Sequence, residues 1–239
     1  MHCHGQSTPQ PTAPDRPAAW VAVVPVKPLP AAKTRLRGAV PEAVHPDLVL
    51  AMARDTVAAV LACRVVARVV VICDDPAVCA ELTALGALCL PDAPAAGLNA
   101  ALAHGAQAAR RSVAPRHPAD GPAADDAGDV GVVALTADLP AMRPADLESA
   151  LVAAARAGRR AFVPDLEGTG TVLLAAPAGE ALAPHFGPGS AGAHLRSGAT
   201  RLDGAWPSLR RDVDTAADLD AAARLGLGAH TGQVLYTVA

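Results

Sequence analysis

Large aromatic rings are almost missing from this sequence. Two Trp, one Tyr and two Phe make up 2% of its 239 residues, so the core cannot be built on rings. Packing has to come from close approach of Ala, Val and Leu. Blocks of positive charge are missing too. A net charge of −3 with 18% charged residues argues against nucleic acid as the main partner, and a cationic surface is expected only as a local pocket for small anions. No apolar run is long enough to span a bilayer, so no membrane partner is expected. Residues 1–19 are rich in Pro, Gln, Ser and Thr and lack the apolar stretch of a secretory signal; they read as a disordered leader. The five cysteines, Cys3, Cys63, Cys73, Cys79 and Cys89, contain no Cys-x-x-Cys pair. That argues against a zinc site and for a reducing, cytoplasmic setting. His2, Cys3 and His4 lie in the leader, without a surrounding layer to fix a metal.

What is present is a chain 51% hydrophobic, enough for one large or two small cores. Apolar runs at 20–26, 65–73, 87–90, 130–135, 160–164 and 172–176 read as strands. Helical patterns lie between them, at 45–61, 77–85, 98–111 and 144–157, with two more at 191–197 and up to Leu225. This alternation predicts an α/β domain over residues 20–227. Residues 112–129, made of Pro, Ala, Asp and Gly without periodicity, form a flexible insert loop inside it, and 228–239 a C-terminal tail.

The chemistry-bearing residues gather where strands end. The run Val-Gly-Val-Val-Ala-Leu-Thr-Ala-Asp-Leu-Pro stops at Asp138, and in open α/β sheets ligands collect at the carboxyl ends of strands. Asp138 is either a site carboxylate or the cap of the next helix; Thr136 and Pro140 read as structure. After the first strand, Lys27, Lys33 and Arg35 crowd a Pro-stiffened loop suited to phosphate oxygens. Asp74 and Asp75 offer two acids, but Asp75-Pro76 reads as an N-cap followed by Pro at the first helical position. Gly97-Leu98-Asn99 opens a helix with free N–H groups and one amide; Asn99 is a nucleotide reader or a simple cap. Two glycine-rich loops, Asp165–Thr171 and Phe186–Ser190, can bring N–H and hydroxyl donors onto an anion. In Arg210-Arg211-Asp212-Val213-Asp214-Thr215, residues two apart on an extended segment share a side, so Asp212 and Asp214 can share a cation such as magnesium. The other reading makes Asp214 or Thr215 the N-cap of the last helix.

Taken in order, these motifs resemble the guanylyltransferases of deazaflavin coenzyme (coenzyme F420) biosynthesis, which act on 2-phospho-L-lactate or, in bacteria, phosphoenolpyruvate. The resemblance spans about residues 20–227 and rests on ordered motifs. It implies a single nucleotide-diphosphosugar-transferase-like (Rossmann-like) domain, with a mixed, mainly parallel sheet flanked by helices. It also implies that Asp138, Asp212 and Asp214 hold magnesium, with Lys33 joining them in catalysis. Lys27, Lys33, Arg35, Gly97 and Asn99 would serve GTP, and Thr171, Gly187 and Ser190 the three-carbon phospho-acid. The sequence departs from the wider superfamily in having a Pro/Lys loop where a Gly-rich nucleotide loop is usual. A further departure is Ala191-Gly192 after Ser190, where a bulkier residue is expected.

The expected reaction is transfer of GMP from GTP to the phosphate of phosphoenolpyruvate with release of pyrophosphate. The Ala- and Pro-rich composition suits a high-GC bacterial source and so favours that acceptor over 2-phospho-L-lactate. A downstream transferase of the pathway is a conceivable protein partner. The rivals are a sugar-phosphate nucleotidyltransferase or Asp-x-Asp glycosyltransferase, and a non-catalytic GTP-binding regulatory module.

Overall fold

The computed structural model describes residues 19–27, 33, 36, 39–93, 95–113 and 130–238. Trp20 opens the first strand and the core together. β1 (Trp20–Pro25) and β4 (Gly131–Leu135) lie side by side and parallel, with Trp20 opposite Gly131. A Cβ on Gly131 would sit 2.5 Å from the Trp20 ring, so the largest side chain of the core needs the smallest beside it.

Seven strands form one sheet in the order β3-β2-β1-β4-β6-β5-β7. β2 (Val66–Ile72) and β3 (Leu88–Leu90) continue the parallel half on one side of β1. On the other side of β4, β6 (Thr171–Ala176) runs antiparallel to both β4 and β5 (Ala161–Pro164). The two-residue β7 (Thr200–Arg201) pairs parallel to β5 at the edge. β4, β5 and β6 are buried at every position, the pattern of strands covered on both faces.

Alternate side chains of β1 supply the two faces. Ala22 and Val24 pack with α1 (His45–Leu61), α2 (Pro76–Ala84) and α4 (Pro144–Ala157); Val21 and Val23 pack with α3 (Leu98–Val113) and α5 (Ser190–Arg196). Small residues do this work, as the dearth of aromatics requires. On α3, a Cβ at Gly105 would come within 2.7 Å of Val23, so that helix lies closer to the sheet than any side chain would allow. A third apolar cluster joins Leu48 and Met52 of α1 to Val213 and to Leu219 of α6 (Ala216–Leu225).

Several local expectations hold. Asp75 caps α2, accepting from Ala77 and Val78 N–H at 2.9 and 3.3 Å. The helix expected over 144–157 is α4, closed by Gly158 at φ 63°. Thr215 and Asp218 form a capping box on α6. Other elements differ. The segment read as a tail forms α7 (Ala229–Val238), which packs on α1. Its cap is not local: Asp55 of α1, 7% exposed, accepts from His230 and Thr231 N–H at 3.0 and 2.7 Å. α3 runs on to Val113, inside the segment read as a loop. Residues 1–18 of the leader and the rest of the insert lie outside the described residues. Among the described residues, no helix is long and apolar enough to cross a membrane.

Candidate active site

The parallel strands β1, β2 and β4 end on one side of the sheet. Because β6 is antiparallel to β4, its first residues lie at that same side. Everything that follows is placed there by topology.

Asp138 follows β4 on a short connection held in place by a helix residue. The Thr56 hydroxyl, wholly buried in α1, accepts from Leu139 N–H at 3.0 Å and donates to the Met52 carbonyl at 2.9 Å. One residue further back, the Asp138 carbonyl accepts from Val213 N–H at 3.0 Å. That bond brings Asp212 and Asp214 beside Asp138, from a segment more than seventy residues away. The segment is anchored next door, where Arg210 donates to the carbonyls of Pro164 and Asp165 at 3.2 and 3.0 Å. Asp138 does not cap a helix: Arg143 holds the N-cap position of α4, without a side-chain cap bond.

The electrostatics are short of positive charge. Lys33 Nζ donates to both Asp138 Oδ2 and Asp214 Oδ1. Burial alone would lower the pKa of this ammonium, but attraction and hydrogen bonding to Asp138, then to Asp214, raise it above the ordinary lysine value. Lys33 reaches this position from a left-handed backbone (φ 55°), uncommon outside glycine. Even so, Asp138 Oδ1 is buried with no hydrogen-bond partner among the described residues. The carboxyl of Asp212 is pushed up to about 7, by burial first and then by Asp138 and Asp214. Among the described residues, no three Asp, Glu, His or Cys side chains stand arranged to hold a metal ion as they are; Lys33 is the cation between Asp138 and Asp214.

A cleft of about 180 Å³ adjoins the ends of β1 and β2, lined by Lys27, Cys73, Asp74, Asp92 and Gly97 among others. Lys27 and Gly97, far apart in sequence, thus face one space. Gly97 adopts φ 91°, and the space a Cβ would take there is open. Asn99 is neither a cap nor a free reader. Its amide pairs with the backbone of Phe186, donating to the carbonyl at 3.0 Å and accepting from the N–H at 2.7 Å. It therefore ties the start of α3 to the loop that carries Gly187. Arg35 lies outside the described residues.

The two glycine-rich loops divide in role. In the first, the Asp165 carboxylate takes the N–H groups of Thr169 and Gly170 at 2.9 and 2.8 Å. Those donors are already filled from within, contrary to the expectation that they await an external anion. Thr171, at the end of that loop, is 6% exposed and bonds through Oγ1 to His194 Nδ1 at 2.9 Å. In the second loop, Gly187 adopts φ 135° and Gly189 φ 70°, and Ser190 at the start of α5 is 2% exposed. Ala191 N–H donates to the Thr169 carbonyl at 3.1 Å, which joins the two loops. Thr171, Gly187 and Ser190 are thus held in one locality. Ala191, where a bulkier residue is expected, is 4% exposed and packs into the core with Phe162 and Leu182.

Sequence reading missed Thr56, Arg210 and His194. Thr56 and Arg210 carry no local signal, since their partners are 83 and 46 residues away. His194 could have been marked by its place four residues after Ser190, on the same face of a helix.

No family model matches the chain. It is 55% identical over 222 residues to the phosphoenolpyruvate guanylyltransferase of Salinispora arenicola, covering 92% of this chain and 95% of that one. It is 51% identical over 223 residues to the phosphoenolpyruvate guanylyltransferase of Geodermatophilus obscurus, covering 91% and 94%. Among solved structures it matches a protein described as a nucleotide-diphospho-sugar transferase from Desulfovibrio desulfuricans, with a TM-score of 0.61 at 18% identity over 91% of this chain and 94% of that one. That likeness establishes the fold as a nucleotide-diphospho-sugar-transferase-like α/β domain. With half its residues identical along nearly the full length of two curated relatives, the chain belongs to the phosphoenolpyruvate guanylyltransferase family.

Proposed function

We propose that this enzyme moves GMP from GTP to the phosphate of phosphoenolpyruvate, giving enolpyruvyl-diphospho-5'-guanosine and pyrophosphate, as a step toward coenzyme F420 in the cytoplasm. The observation that carries the reading is the meeting of Asp138 with Asp212 and Asp214 at the carboxyl end of β4. The names of the relatives supply the donor and the acceptor.

In this reading a phosphate oxygen of the acceptor attacks the α-phosphorus of GTP in line. A new P–O bond forms, the bond to the β-phosphate oxygen breaks, and pyrophosphate leaves with the electron pair. No general base is needed, because the attacking phosphate is already an anion. Such chemistry asks a protein mainly for positioning and neutralisation of charge. Lys27 and Gly97 would bound the nucleotide, and Lys33 and Arg35 would serve its phosphates. Asn99 would act by holding the Phe186 loop. Thr171, Gly187 and Ser190 would hold the phosphate and carboxylate of the acid.

Asp138, Asp212 and Asp214 fit a hard divalent cation. They are oxygen donors; one has a buried oxygen with no partner among the described residues, and the carboxyl of another is pushed up to about 7, by burial first and then by its acidic neighbours. Magnesium bound there, displacing Lys33 as counter-charge, would supply Lewis-acid stabilisation of the charge developing at the α-phosphate.

The test is pyrophosphate release from GTP and magnesium with phosphoenolpyruvate, 2-phospho-L-lactate or glucose-1-phosphate. Release is expected with phosphoenolpyruvate. Release only with 2-phospho-L-lactate would reassign the acceptor, and release with glucose-1-phosphate or with no acceptor would overturn the reading. Thermal stabilisation by GTP with no release under any condition would favour a regulatory GTP-binding module.

A further inference from the structure

His194 is wholly buried, yet it is a polar ring that makes two directed bonds. One comes from the backbone: His185 N–H donates to Nε2 at 2.9 Å. A backbone N–H can only donate, so Nε2 is the bare nitrogen of the ring. In a neutral imidazole the proton then sits on Nδ1. Burial first, then the nearby charges of His185 and Arg160, hold the His194 pKa down to about 4, so the ring is neutral wherever the enzyme would be assayed. Nδ1–H therefore donates to Thr171 Oγ1, and the Thr171 hydroxyl is the acceptor of that bond.

This fixes the hydroxyl hydrogen. With one lone pair of Oγ1 filled by His194, the Thr171 hydrogen turns to the remaining directions, and it has no acceptor among the described residues. A hydroxyl that could have served as acceptor or donor is thereby set as a donor. The ring itself cannot drift. Phe186 meets it edge-on at a centroid distance of 5.2 Å, Phe162 lies 5.7 Å away, and Asn99 holds the backbone of Phe186. The same ring holds the backbone at His185, two residues before Gly187. A single side chain thus sets the sense of one donor and the position of the loop that presents the next.

We propose that His194 is a positioning residue for the acceptor substrate: it holds Thr171 as a hydrogen-bond donor to an anionic oxygen of the three-carbon phospho-acid and fixes the Gly187 loop against it. The proposal rests on the reading of Thr171, Gly187 and Ser190 as the acceptor site. It gives His194 no contact with the reacting atoms and no part in proton transfer.

Initial rates of pyrophosphate release, with each substrate varied at saturation of the other, test it in the full-length protein. His194→Leu should raise KM for phosphoenolpyruvate by about tenfold or more, the effect of one lost hydrogen bond to a charged group. KM for GTP should stay within about twofold. His194→Asn, whose amide N–H can take the place of Nδ1–H, should recover most of the loss and serves if the leucine variant does not fold. Thr171→Val should raise the same KM alone, and Thr171→Val combined with His194→Leu should be no worse than the poorer single variant. If Thr171→Val raises the acceptor KM while both folded His194 variants leave it unchanged, the positioning role is wrong and the acceptor site stands. An equal rise in both KM values that asparagine does not rescue marks a merely structural histidine and also overturns the role. If Thr171→Val leaves the acceptor KM unchanged, the acceptor site itself is misplaced and the proposal falls with it.

Discussion

Two acidic regions of the molecule have opposite surroundings, one closed inside the fold and one at the open edge of the sheet. At the junction of α1 and α7, Asp55 directs both carboxylate oxygens to backbone N–H groups, those of His230 and Thr231. At the end of β4, the Lys33 ammonium bridges Asp138 and Asp214, and Asp212 lies beside them. One buried oxygen there has no partner among the described residues, and one carboxyl is pushed up to about 7. Asp75 and Asp165 resemble the first region, each closing its own loop or helix start. The difference teaches how to sort acids. A carboxylate whose oxygens are filled by N–H donors holds the fold together; a set left short of donors and of positive charge is arranged for something that comes from outside.

The largest test of that division is at the β4 end. Asp212→Asn and Asp138→Asn should each lower kcat by roughly 1,000-fold, the scale of removing a charge-stabilising group at a reacting phosphate, with no loss of melting temperature. Pyrophosphate release and thermal melts on the same samples check it; normal turnover in either variant would place these acids with Asp55. The reverse pattern is expected at the junction. Asp55→Ala leaves two N–H groups without their acceptor and should cost about 3 kcal/mol, lowering Tm by roughly 6–12 °C. KM values of the folded enzyme should not move.

A smaller effect separates the two regions by pH. The folded pKa of Asp212 lies above its unfolded value, so its contribution to stability is full below about pH 4 and is lost as the pH rises through about 7. Without metal or nucleotide, Asp212→Asn should therefore melt about 3–6 °C above the parent at pH 8 and level with it at pH 4. A difference that grows toward acid would reverse the sign and refute the crowding of these carboxylates. Smallest of all, Lys33→Met should tighten binding of manganese to the nucleotide-free protein by roughly threefold, since the competing ammonium is gone. Calorimetric titration reads this directly, and weaker binding would show that Lys33 assists the cation rather than standing in its place.

Much of the fold was legible because its signals are local. Consecutive β-branched and small residues mark β1, β4 and β6 as strands covered on both faces, and Asp75-Pro76 and Thr215 mark helix starts within a turn of themselves. α7 was not legible for the opposite reason: its N-terminal donors are satisfied by Asp55, 175 residues earlier. Asn99 shows the same limit, since an amide at a helix start looks alike whether it caps, reads a base or clamps the backbone of Phe186. So does the Asp165 loop, where glycine and threonine offered donors and only the folded loop showed them filled.

By itself, then, the sequence determined the strands and helices, the placing of Asp138 at a strand end, and the pairing of Asp212 with Asp214, because each follows from periodicity or from residues a few positions apart. Only the tertiary structure decided that the three aspartates belong to one region, that Lys33 balances two of them, and that Asp55 and Asp165 do not compete for the same role. Those facts depend on which backbone groups meet across the sheet's carboxyl edge. The Val213 N–H on the Asp138 carbonyl is such a meeting, and no local spacing encodes it.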